Sequence, residues 1–216
     1  MLPCVVIQNR QSESPELFRA AIQRDEFAAR VSEALTCGAP AVVVLCGAGH
    51  PLLSARAQVR ALHQALLPTA TRLSARVSVS ATDGLAAWAA STEGPVGVDV
   101  QSEVATLDWT LLDLALHPIE ARWLAVQPDP EVAFTRLWAG KEAVLKAFGV
   151  GLAWSPREVE AAPTVLRPWR DVHVPALGKV WLSHLLPPAN LRVAVAVALN
   201  AGHRRPRAPF SPESLA

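Results

Sequence analysis

Trp138-Ala139-Gly140-Lys141-Glu142-Ala143-Val144-Leu145-Lys146 is the run from which the rest of this chain can be read. Its apolar neighbours Phe134, Leu137, Trp138, Leu145 and Phe148 recur at steps of three, four and seven, the period of a helix with one face in a core. Asp129-Pro130-Glu131 supplies the start of that helix: a capping side chain, a proline at the first position and an acid in the first turn. Gly149 and Gly151 end it. Glu142 and Lys146 fall one turn apart on one face. Taken alone, that spacing describes a surface ion pair worth about 0.3–0.5 kcal/mol. Upstream, Gly97-Val98-Asp99-Val100-Gln101 alternates as a strand, with Val96, Val98 and Val100 on one side and Gly97, Asp99 and Gln101 on the other.

Working outward, Ser14 to Leu35 reads as a helix capped by Ser14, with Pro15 at its first position. Ala39 to Cys46 reads as a buried strand, and Leu52 to Leu67 as a helix. Between them, Gly47-Ala48-Gly49 could open a dinucleotide fingerprint. Leu52 stands where the third glycine belongs and no acid follows about twenty residues on, so a tight strand-to-helix turn is the better reading. Arg56, Arg60, His63, Arg72 and Arg76 form the densest basic region of the first half, either a solvated helix face or a phosphate-facing one. Val77 to Ser80, Leu85 to Ala90 and Val96 to Val100 predict an antiparallel meander, turned at Asp83-Gly84 and at Thr92-Glu93-Gly94-Pro95. Leu107 to Leu116 is helical. Pro118 begins a further helix that places Glu120 in its first turn, where the helix dipole favours an acid. Lys179 to Leu186 and Arg192 to Leu199 read as antiparallel strands joined through Pro187-Pro188-Ala189-Asn190, and residues 201–216 as a disordered tail.

The chain has 216 residues, 51% of them hydrophobic, enough for one generous domain or two small ones. A net charge of +1 argues against broad attraction to nucleic acid or an anionic membrane. The three cysteines, Cys4, Cys37 and Cys46, have no paired spacing, so neither a disulfide framework nor a zinc site is indicated; Cys46 reads as a buried thiol. The start of the chain lacks a basic flank and a long apolar run, and the longest apolar stretch falls short of the ~20 residues that span a bilayer. A soluble, cytoplasmic protein is expected.

A strand carboxylate, Asp99, and a helix carboxylate, Glu142, can converge if that helix packs beside the strand. Two carboxylates completed by waters and phosphate oxygens suit magnesium. Lys141 and Lys146 would then offset phosphate charge, a combination suited to handling a diphosphate.

Gly97-Val98-Asp99, followed at this distance by Trp138-x-x-Lys141-Glu142-Ala143-x-x-Lys146, resembles the signature of the 4'-phosphopantetheinyl transferases, of the surfactin-synthetase-activating (Sfp) type. The likeness runs from about Val77 to Leu199. It includes His117-Pro118-Ile119-Glu120, similar to the family's short motif ending in glutamate, and the glycine-bearing turn at Gly149-Val150-Gly151-Leu152. The resemblance implies an α+β fold of two similar subdomains, each a small antiparallel sheet packed with helices. They would divide as residues 1–95, a divergent N-terminal subdomain, and 96–200, which carries the signature. It implies magnesium-dependent transfer of the phosphopantetheine arm of coenzyme A to a serine of an acyl, peptidyl or aryl carrier protein, with release of 3',5'-ADP. Such transfer serves carrier proteins in secondary-metabolite assembly, among others, and the family type implies a monomer.

By position, Asp99 and Glu142 would hold the metal, with Gln101 beside them. Glu120 would be the base for the carrier serine, Lys146 would stabilise the leaving group, and Lys141 would be a second phosphate contact. Ser80 would lie at the coenzyme A site, with Arg56 and Arg60 as candidates for the 3'-phosphate. Three departures stand out: Gln101 replaces a third acid, Ala81 replaces a histidine after Ser80, and the usual glycine-lysine-proline segment is not recognisable. They motivate an alternative, a divergent family member that binds carrier protein or coenzyme A without turnover.

Overall fold

Two four-stranded sheets with helices packed on them make an α+β fold. The computed structural model describes residues 6–9, 25–38, 40–46, 55–82, 85–162, 170–185 and 193–200. The first sheet is built from β1 (Val6–Asn9), β2 (Ala41–Cys46), β3 (Arg76–Thr82) and β4 (Leu85–Ser91), in the order β1-β2-β4-β3. β1 lies parallel to β2, while the other neighbours are antiparallel. Helices α1 (Asp25–Thr36) and α2 (Ala55–Arg72) cover it. Val31, Leu35, Leu62, Leu66 and Trp88 fill the layer between helices and sheet.

The second sheet contains β5 (Val96–Ser102), β6 (Arg170–Val174), β7 (Gly178–Leu185) and β8 (Val193–Leu199), in the antiparallel order β5-β8-β7-β6. Two short helices, α3 (Trp109–Ala115) and α4 (Pro118–Leu124), precede the long α5 (Pro130–Phe148), which lies across β5 and β8. Ala143, Val144 and Ala147 of α5 pack with Val172, Val180, Leu182 and Ala198 of the sheet. Leu112, Leu116, Leu124 and Leu137 tie α3 and α4 to the same helix. Among the described residues, no helix is long and apolar enough to cross a membrane.

Local chemistry sets the ends of α5 as the sequence predicts. Asp129 accepts from Val132 N at 3.0 Å, and Gly149 takes the left-handed conformation (φ 72°) that closes the last turn. The meander is where the structure differs. β3 and β4 pair, but β5 does not join β4, whose other edge is already taken by β2; the chain crosses instead to the second sheet. Strands β1 and β6 were not anticipated either. Both are short, and β6 carries Asp171 and His173 on its exposed side, which weakens any apolar signature. The Ser14 cap, the Gly47–Gly49 and Asp83-Gly84 turns, the link at 187–190 and the tail at 201–216 lie outside the described residues, as does the side chain of Cys46.

Candidate active site

The site lies on the seam between the sheets, where edge strand β3 of one meets edge strand β5 of the other. Main-chain pairing does not make this seam. Side-chain hydroxyls do: Val98 N donates to Ser78 Oγ (3.1 Å), Val100 N donates to Ser80 Oγ (3.4 Å), and Thr82 Oγ1 meets Ser102 Oγ (3.4 Å). The alternation of β3 puts Ser78, Ser80 and Thr82 on one face, so Ser78 and Ser80 can each satisfy a peptide N–H that an edge strand would leave unpaired, while Thr82 meets a hydroxyl. This hydroxyl ladder carries Ser80 to Asp99, whose Oδ1 accepts from Ser80 Oγ at 2.8 Å.

From the other side comes α5. A Cβ at Gly97 would stand 1.9 Å from Ala143 O and 2.6 Å from Ala147 N, so only glycine lets the helix seat this close to β5. The Gly97-Asp99 face therefore lies under α5 rather than open, and Asp99 is only 2% exposed. Lys146 Nζ donates to Asp99 Oδ1 at 2.6 Å, and also to Ser80 Oγ and Val98 O at 3.2 Å. Gln101 Nε2 donates to Asp99 Oδ2 at 2.8 Å. One turn before Lys146, Glu142 is half-buried and accepts no hydrogen bond among the described residues. Its carboxyl is held above the ordinary range by burial and by the neighbouring Asp99 charge, which Lys146 offsets only in part. Among the described residues, two carboxylates against one ammonium leave the group short of positive charge.

Glu120 and Lys141 are placed elsewhere. Glu120 closes a capping box on α4: its Oε2 accepts from His117 N at 2.8 Å, while His117 Nδ1 accepts from Ile119 N. Its Oε1 accepts from Ala161 N at 2.6 Å. Lys141 Nζ lies 2.5 Å from Glu120 Oε2, and both side chains are 0% exposed. Lys141 also donates to the carbonyls of Pro156 and Val159, and burial holds its pKa below the usual lysine range despite the Glu120 charge. The pair fastens α4, α5 and the segment at 156–161 to one another and presents no atom to solvent. As placed, neither residue reaches a phosphate or a serine.

Of the arginines, Arg60 is exposed on α2 and no hydrogen bond or ion pair ties it to the Asp99 group; the side chain of Arg56 lies outside the described residues. Arg72 donates to Ser32 Oγ at 3.1 Å, binding α2 to α1. Ala81, next to Ser80, is exposed. Sequence reasoning missed the ladder role of Ser78, Thr82 and Ser102, although the hydroxyl at every second position of β3 was a readable signal. It also missed His184, whose ring stands against Gly140 of α5 and whose Nε2 is 3.0 Å from Ala161 O.

Among the described residues no cluster of three metal-ligating His, Cys, Asp or Glu side chains occurs. The candidate ligands at the seam are the two carboxylates, Asp99 and Glu142, while Gln101, expected beside them, is turned to donate its amide N–H to Asp99. Such an all-oxygen set fits magnesium, which keeps several waters and uses one or two carboxylates together with substrate phosphates.

Residues 95–196, just under half of the chain, match the family model described as the 4'-phosphopantetheinyl transferase superfamily. The matched stretch holds Asp99, Gln101, Glu120, Lys141, Glu142 and Lys146, and the likeness to that superfamily seen in the sequence is shown for it. A solved structure, the holo-[acyl-carrier-protein] synthase (AcpS) of Thermotoga maritima, is 26% identical over 48% of this chain. The alignment spans 61% of that protein, less than two thirds, with a TM-score of 0.37. No curated protein matches the chain.

Proposed function

We propose that this protein is a 4'-phosphopantetheinyl transferase, which moves the phosphopantetheine arm of coenzyme A to a serine of an acyl, peptidyl or aryl carrier protein and releases 3',5'-ADP. The observation that carries the reading is the convergence of Asp99, Glu142 and Lys146 within a segment similar to that superfamily. Asp99 and Glu142 would hold magnesium, which would neutralise diphosphate charge as the bond to the leaving phosphate breaks. Gln101 orients Asp99 through its amide N–H rather than adding a charge. Among the described residues Lys146 is the cation nearest the carboxylates, and it is the residue we assign to the leaving-group phosphate. Ser80 fixes Asp99 and faces the same seam. We assign Glu120 and Lys141 to holding the site's walls, because their ion pair is fully buried. A cytoplasmic monomer acting in secondary-metabolite assembly accompanies this proposal.

The test is mass spectrometry of a panel of apo carrier proteins incubated with the protein, coenzyme A and magnesium. At least one carrier should gain the mass of one phosphopantetheine arm, and chelation should stop the gain. The second reading, binding without turnover, rests on exposed Ala81 where the family pattern has a histidine and on Gln101 where it has an acid. Carriers that bind but never gain mass would overturn the transferase in its favour.

A further inference from the structure

We propose that Lys146 is the resident cation of the Asp99–Glu142 site, and that a divalent metal binds only as this ammonium withdraws from Asp99. The inference rests on the metal assignment above and concerns which side chain competes with a metal for Asp99.

Asp99 is almost entirely enclosed, and three donors already satisfy it. Oδ1 accepts from Ser80 Oγ at 2.8 Å and from Lys146 Nζ at 2.6 Å, and Oδ2 accepts from Gln101 Nε2 at 2.8 Å. Magnesium would sit about 2.1 Å from the oxygen that binds it. An ammonium at hydrogen-bond distance from that oxygen occupies nearly the same space and carries the same sign of charge. The two cations therefore compete.

The three donors are not equally able to leave. Ser80 has a one-carbon stem, and its hydroxyl is also held by Val100 N. Gln101 is anchored on the same strand as Asp99, two residues on. Lys146 stands on a flexible four-carbon stem, its side chain is 29% exposed, and it is the only charged donor of the three. Among the described residues Asp99 and Glu142 face a single ammonium, so with lysine in place that group keeps one negative charge in excess when both carboxyls are ionised. That charge attracts a cation without leaving Asp99 bare beforehand. Once displaced, Lys146 needs another anion, and a diphosphate-bearing ligand supplies one. Metal and coenzyme A should therefore bind with positive coupling that runs through this side chain.

Isothermal titration with magnesium alone, on the full-length protein, tests this without any turnover. Lys146→Met keeps the stem and removes the charge, and Lys146→Gln serves as a second variant; circular dichroism confirms that each is folded. Both should bind magnesium roughly tenfold more tightly than the unaltered protein, the effect of removing one charged hydrogen bond that competes with the ion. In both, added coenzyme A should tighten magnesium less than it does in the unaltered protein. Equal or weaker magnesium binding by the two variants would overturn the placeholder role while leaving the metal site standing. If Asp99→Asn bound magnesium as the unaltered protein does, or no form bound it, the metal assignment itself would fall, and the placeholder with it.

Discussion

The hydroxyl of Ser80, on the edge strand of one sheet, donates to Asp99 on the edge strand of the other at 2.8 Å, and Lys146 reaches the same oxygen from α5. Three elements from distant parts of the chain thus meet at one carboxylate oxygen. Removing the hydroxyl in Ser80→Ala leaves Val100 N without its acceptor and loosens Asp99. Stability should fall by about 1–2 kcal/mol, measured by urea unfolding. Transfer should fall by about tenfold or more in kcat/KM, about 1.4 kcal/mol of transition-state stabilisation. A stability loss with unchanged kcat/KM would separate Ser80 from the site.

Glu142→Gln keeps the shape of a half-buried side chain and removes one of two like charges. Transfer should be abolished while the fold persists, shown by an unchanged circular dichroism spectrum. The sign for stability follows from the raised carboxyl. Such a group favours the folded state below its unfolded pKa, and that contribution is lost as pH rises through the folded value. At neutral pH the variant should therefore melt at the same temperature or higher. An active Glu142→Gln protein would remove Glu142 from the metal site.

The buried Glu120–Lys141 pair makes a different prediction. Glu120→Gln or Lys141→Met alone strands a charge in the interior and should cost about 3–5 kcal/mol. The double variant should recover part of that loss in a denaturant-based double-mutant cycle. A folded, fully stable Glu120→Gln protein without transfer would instead make Glu120 a base.

Gly97→Ala tests the helix–strand seat. A methyl group placed 1.9 Å from Ala143 O cannot be absorbed by a side-chain shift, since the obstacle is main chain. The cost should reach about 3 kcal/mol or more, read as a lower melting temperature and lower soluble yield. Gly149→Ala meets no atom but must keep φ at 72°, so it should cost less, about 1 kcal/mol.

His184 gives the pH dependence. Burial pushes its pKa down to about 4, and Nε2 must carry the proton because its partner is the carbonyl of Ala161. The unfolded chain binds a proton there below about pH 6.5 while the folded one does not. Stability is therefore full above about pH 6.5 and is lost as pH falls toward 4, with a slope approaching ~1.4 kcal/mol per pH unit. In His184→Gln the slope should shrink by up to that amount, in urea unfolding at pH 7, 6 and 5. An identical slope in both proteins would show His184 to be charged in the fold.

Much of this was legible in the residues. Asp129, Pro130 and Gly149 bound α5 by local hydrogen bonding and backbone preference, which need no tertiary partner. The strand alternation of Val96 to Gln101 and the one-turn spacing of Glu142 and Lys146 follow from chain geometry, and so do the faces those side chains occupy. The tertiary structure alone decided which strand β5 would lie beside, because β4 has two edges and periodicity does not say which neighbour takes each. It alone divided the charged residues of the signature helix. Glu142 and Lys146 face the seam at Asp99, while Lys141, on a different side of the same helix, turns inward to Glu120. Local spacing sets which residues share a face. Only packing sets whether that face meets solvent, a carboxylate or a buried partner, since burial and charge depend on atoms contributed from far along the chain.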